Sequence, residues 1–126
     1  LRADAAAARW GEPFTRGALL FDEGAFFEAH EAWEELWLVE RDTDAKRALQ
    51  GLIQIAAGYH KLFAQDRPES AARLLQRGLE KLAASEEAQR WQLSAFCDAV
   101  RGHVGKLAAV GSGERFGRAD VPMLAR

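Results

Sequence analysis

Apolar residues in this 126-residue chain recur at helical spacing almost from end to end, and the repeat is cut only where Gly, Pro or Asp interrupts it. Steps of three and four residues put the apolar side chains on one face of a helix, whereas a half-buried strand needs alternation. No alternation lasts long enough to compete. The breaks divide the chain into short helices that must bury their apolar stripes against one another, so the pattern predicts an all-α fold. It is expected to be a compact single-domain bundle of about five to six helices over residues 1–126, with 1–13 and 111–126 peripheral.

Residues 2–10 are Ala-rich and read as a short helix, stopped by Gly11 and Pro13. A second helix is expected over about 14–22. After Gly24 comes a strongly amphipathic third, about 25–40, in which Phe26, His30, Trp33 and Trp37 share one narrow stripe flanked by Phe27 and Glu34. Glu28, Glu31 and Glu35 lie further round and should meet water. Arg41-Asp42-Thr43-Asp44 reads as a tight connection, with Thr43 or Asp44 capping a fourth helix over about 44–64. These two helices form the central antiparallel pair. The fourth has Leu49, Leu52, Ile53, Ala56, His60 and Phe63 on its inner stripe, with Gly51 and Gly58 leaving room for the tryptophans opposite.

Asp66-Arg67-Pro68 is a stop and restart. The helix that follows, about 68–84, points Ala71, Leu74, Leu75, Gly78, Leu79 and Leu82 inward and Arg73, Arg77 and Lys81 outward. A last helical stretch within 86–110 is expected to break near Trp91, with Ser94 as a cap and Phe96, Val100, Val104 and Leu107 as its apolar side. Gly111-Ser112-Gly113 ends it. In the tail, Val121-Pro122-Met123-Leu124 is expected to dock.

Composition narrows the function. The formal charge is −2, from 17 Lys and Arg against 19 Asp and Glu, which gives no reason to expect nucleic acid. The stripe of Arg73, Arg77 and Lys81, with Arg67 and Arg90 nearby, is the ordinary solvated face of a helix. Cys97 is the single cysteine, so neither an internal disulfide nor a cysteine zinc site can form within one chain. It reads as a small buried hydrophobe, and His103 as a surface residue. No apolar run approaches the roughly 18 residues of a membrane span. The N-terminus has neither a signal peptide's apolar stretch nor an initiator Met, so the chain is expected to be cytoplasmic and to begin inside a longer gene product. Trp10 and Trp91, in less regular segments, are candidates for a subunit contact, and a homo-oligomer or protein partner is expected.

The residues that could carry chemistry sit on the central pair. His30 lies in an aromatic face where a polar ring needs a partner, and Glu34, one turn on, can supply it. Four-residue spacing also suits paired metal ligands. Gln50, Gln54 and His60 lie across the seam. Folding the chain about residue 42 or 43 sets His30 opposite position 55, so His60 is displaced by about 7–8 Å along the axis. That argues against a shared His–His site.

Two readings follow. In one, slightly favoured, His30, Glu34, Gln50 and Gln54 form a buried polar layer that fixes helix register in a non-catalytic structural or partner-binding module. In the other, His30 and Glu34, with His60 as a third candidate, hold one divalent metal for hydrolysis of a small substrate, in a pocket of Phe27, Glu31, Trp33, Trp37, Gln50 and Gln54.

Phe21-x-x-Gly24-x-Phe26-Phe27-Glu28-Ala29-His30-Glu31-x-Trp33-Glu34, followed by Leu49-Gln50-Gly51-Leu52-Ile53-Gln54-x-Ala56-Ala57, resembles the domain-of-unknown-function family numbered 309, over about residues 14–84. The resemblance implies a compact all-helical fold and a cytoplasmic prokaryotic protein. It also implies that His30, Glu31 and Glu34 are the characteristic polar residues, with Gln50 and Gln54 opposite. The family is sometimes labelled a predicted metal-dependent hydrolase; that label rests on the same His and Glu positions.

Overall fold

The computed structural model describes residues 3–109 and 116–125, and the Gly111-Ser112-Gly113 break lies outside them. The described residues form seven α-helices: α1 Ala3–Trp10, α2 Glu12–Asp22, α3 Phe26–Val39, α4 Thr43–Gln65, α5 Pro68–Ala83, α6 Glu86–Gln89 and α7 Ser94–Ala108. A 3-10 turn, Arg118–Asp120, follows. The fold is all-α, as the periodicity predicts.

α4 is the central element because its apolar stripe is too wide for one neighbour. Residues buried along it include Ala45, Leu49, Leu52, Ile53, Ile55, Ala56 and Tyr59, and it packs on α3 along one flank and most extensively on α5 along the other. Gly51 and Gly58 face α5, not the tryptophans: a Cβ at Gly51 would lie 3.0 Å from the Gly78 carbonyl oxygen, and one at Gly58 would lie 3.2 Å from that of Ala71. The glycine beneath a tryptophan is Gly17 of α2, which lies against the Trp33 ring.

Caps depart from expectation by a residue or two. α2 begins at Glu12, with Pro13 in its first turn, where a missing N–H costs nothing. Asp42, not Thr43 or Asp44, caps α4, its carboxylate accepting from the Ala45 N–H at 2.9 Å. Asp44 reaches across the fold and accepts from the Glu86 and Glu87 N–H groups at 3.1 and 2.8 Å, fastening α6 to α4. Those bonds, led by the one from Glu87, hold its carboxyl below the usual range. Ser94 is the first residue of α7 and makes no cap; Leu93 stands at that position.

Trp91 is fully buried. Its indole N–H donates to Glu87 at 3.2 Å, and its ring meets Trp10 edge-on at 5.7 Å. Trp91 therefore offers no contact surface, while Trp10 is half-buried and donates to Glu40 at 2.9 Å. Glu40 also receives two bonds from Arg9 (3.2 and 2.9 Å) and one from the Asp42 N–H (3.0 Å). The Arg9 hydrogen bonds are the largest influence holding its carboxyl down at about 2, against an ordinary 4.5.

A carboxyl lowered on folding contributes stability that is whole above its ordinary pKa and is lost as pH falls through the folded value. Glu40→Gln is therefore expected to narrow the stability gap to the parent as pH drops from about 4.5 toward 2. Urea unfolding of both proteins at a series of pH values checks this, and a pH-independent gap contradicts it.

The tail docks as expected. Leu124 is buried, and the Leu124 and Ala125 N–H groups donate to the Asp22 carboxylate. Among the described residues no helix is long and apolar enough to cross a membrane.

Candidate functional site

The short 40–42 connection returns α4 antiparallel to α3, so α3 presents one edge to the seam. Its most buried residues are Phe26, Ala29, Ala32 and Trp33. The centre of its inner face is thus turned toward Ala29, and His30 and Trp37 sit half-buried at its edge. Trp33 is fully buried beneath the seam, and its indole N–H donates to the Phe14 carbonyl at 3.2 Å. Glu28, Glu31 and Glu35 are exposed, as the helical period requires.

His30 Nε2 lies 3.3 Å from Glu34 Oε2; the His side chain is 23% exposed and the Glu 49%. Among the described residues the opposite ring nitrogen, His30 Nδ1, is buried without a hydrogen-bond partner, and so are Trp37 Nε1 and Gln54 Oε1. These three atoms all belong to the α3/α4 seam, and Gln50 is half-buried beside them on α4. The Lys46 ammonium lies over the Trp37 ring, 4.1 Å from its centroid. The seam is therefore polar along its outer edge and apolar beneath, with some of its polar capacity unspent.

His30 and Glu34 come together, but His60 does not join them. The Phe27 ring packs against both histidines, with centroids 5.7 Å from His30 and 5.2 Å from His60. His60 instead lines a shallow groove of about 360 Å³ with Glu23, Phe27, Glu28 and Arg118. Among the described residues no three His, Cys, Asp or Glu side chains are placed to hold a metal ion. A catalytic zinc site normally uses three protein ligands, and the described pair supplies two, one short of such a set.

The sequence reading missed one histidine. His103 is 7% exposed, not on the surface. Its Nδ1 lies 2.8 Å from the Tyr59 hydroxyl, and its ring stacks on Phe116 at 3.9 Å. Burial, with Lys106 adding to it, pushes its pKa below the ordinary 6.5. The signal was present in the sequence: His103 falls about 20° from Phe96 in angle, on the side away from Val100, and so lies at the edge of the apolar stripe of α7. Cys97 is buried, as expected, and burial pushes its thiol up. Arg73 and Arg77 are exposed.

No solved structure matches the chain. An uncharacterized protein of Aquifex aeolicus (strain VF5) is 29% identical over 76 residues, covering 60% of this chain and 22% of that relative's length. The matched stretch is thus a minor part of a longer protein there. Residues 14–74, which hold His30, Glu34, Gln50, Gln54 and His60, match the model of the family described as Domain of unknown function (DUF309).

Proposed function

We propose that the protein is a non-catalytic helical module in which the His30/Glu34/Gln54 layer sets the α3/α4 register and the face above it receives a partner. The outer face of α3 carries this reading. Among the described residues five large apolar side chains are exposed, and three of them, Phe27, Leu38 and Val39, lie on α3 beside the His–Glu pair. Leu38 and Val39 adjoin at one end of this face and Phe27 stands at the other, apolar exposure that a partner could cover. The much longer Aquifex relative, which contains the similar stretch as a minor part, fits a module that works alongside other structure. A prokaryotic, cytoplasmic setting fits the free thiol of Cys97.

The alternative, a divalent-metal-dependent hydrolase, draws support from the 3.3 Å His30–Glu34 pair. It is weaker because no third donor among the described residues completes a ligand set with that pair. Elemental mass spectrometry of the purified protein and of His30→Ala, each stripped with chelator and reloaded, separates the two. The module reading expects no stoichiometric metal in either and a modest loss of stability in the variant. That loss is about 1 kcal/mol, because Glu34 is half-exposed and water replaces its lost partner. One metal per parent chain, absent from a folded His30→Ala, overturns the reading.

A further inference from the structure

The open side of the α3/α4 pair carries two stripes of matching spacing. On α3, Phe27, Glu31, Glu34 and Leu38 are all exposed; on α4, Arg47 is exposed and Gln50, Gln54, Ala57 and Lys61 are half-buried. Both stripes advance in alternating steps of three and four residues, the repeat of about 3.5 that keeps a seam facing a second helix. The inner sides of both helices are already used, by each other, by α2 and by α5. The outer stripes have no helix against them among the described residues.

Their charges differ in a way that selects the occupant. α3 carries Glu28, Glu31, Glu34 and Glu35 and no Lys or Arg. The α4 stripe carries Arg47 and Lys61, with Lys46 beside it, and no carboxylate, since Asp44 is turned to α6. An acidic helix and a basic-to-neutral helix side by side make a surface complementary to itself. Rotation by a half-turn about an axis parallel to the helices lays α3 of one copy over α4 of another, and keeps α3 and α4 antiparallel across the contact. Phe27 then meets the Lys61 end of α4 and Leu38 meets the Arg47 end. Glu31 and Glu34 fall between, opposite Gln54 and Gln50, whose amide N–H groups can donate to them.

We propose that the outer α3/α4 face is an isologous interface and that its occupant is a second copy of this chain. The proposal rests on the partner-binding reading above and names the partner. Sedimentation velocity of the full chain across the micromolar range, at low salt and in 1 M salt, is the first arm. A dimer weakened by salt is expected, because salt screens charge pairs at an interface rim.

The second arm reverses charge on one helix at a time, at a stripe residue and its acidic neighbour on α3 in Glu31→Lys/Glu35→Lys and at the two stripe cations of α4 in Arg47→Glu/Lys61→Glu, with circular dichroism and thermal melts to confirm folding. Each variant alone removes the opposition of charge between α3 and the α4 stripe that lies over it, and is expected to dimerise at least about ten-fold more weakly. Mixed, the two restore opposite charge across both halves of the contact, and a heterodimer is expected. A monomeric parent overturns the proposal, including one that binds a basic amphipathic peptide on α3, which would assign the face to a foreign helix. A parent dimer that survives both reversals overturns it as well. A metal-free monomer removes this inference and leaves the module reading standing, whereas stoichiometric metal held by His30 removes that reading whatever the oligomeric state.

Discussion

Trp33→Ala is expected to lose about 3–5 kcal/mol of stability, the range for truncating a fully buried large aromatic residue. The side chain is 0% exposed and stands where α2, α3 and the aromatic core meet. Its ring centroid is 5.9 Å from that of Phe14 and 6.1 Å from that of Phe21. The ring lies against Gly17 around its indole nitrogen, so closely that a Cβ there would collide with it. Its N–H bond to the Phe14 carbonyl goes with it. Since a domain of this size holds only about 5–15 kcal/mol in all, the variant should be partly unfolded at room temperature or melt far below the parent. Trp37→Ala is the matched control. That ring is half-buried, its N–H has no partner among the described residues, and its distinctive contact is with Lys46, worth about 0.5–1 kcal/mol at an exposed site. Urea titrations of both variants measure the difference. Equal losses at the two tryptophans would mean that the core is not where the structure puts it.

Gly78→Val is expected to cost about 3 kcal/mol or more, at the upper end of what overpacking does, because the obstacle is backbone. A Cβ at Gly78 would sit 2.6 Å from the Gly51 carbonyl oxygen and 2.6 Å from Ile55 Cγ1. A side chain can rotate away from such a clash, but a helix carbonyl cannot, so α4 and α5 must separate along their most extensive contact. Gly102→Ala is the opposite case. It lies within α7 with nothing within 4 Å of the added atom, and alanine there should stabilise the protein by about 0.5–1 kcal/mol through helix propensity. Thermal melts of the two variants should move in opposite directions. A tolerated valine at position 78 would refute the close helix contact.

The α-helical class, the order of the helices and most of their limits were legible from residue spacing. Helix-stopping residues act locally: Pro68 opens α5 and Gly24, at φ 83°, breaks the chain before α3. The spacing of about one turn between apolar residues says which face of each helix is inward, and for α5 that reading names Ala71, Leu74, Leu75, Gly78, Leu79 and Leu82, all buried except Leu74, which is half-buried. The His30–Glu34 pair was legible for the same reason, since one turn of helix brings residues four apart into reach.

Spacing identifies an inner face but not the neighbour that fills it. That is why Gly51 and Gly58 turn to α5 rather than to the tryptophans, and why Asp44 caps a helix 42 residues further along the chain instead of its own. His103 finds Tyr59, 44 residues away, and Asp22 finds the Leu124 N–H, 102 residues away. Such partners are chosen by how all the helices pack at once, which no local pattern encodes. The sequence by itself determined that this chain must form amphipathic helices and place a His–Glu pair on one of them, because those outcomes depend on residues within a turn or two. The tertiary structure decided that the pair sits at the edge of a seam with His60 beyond Phe27, because relative rotation and register of two helices are set by long-range packing.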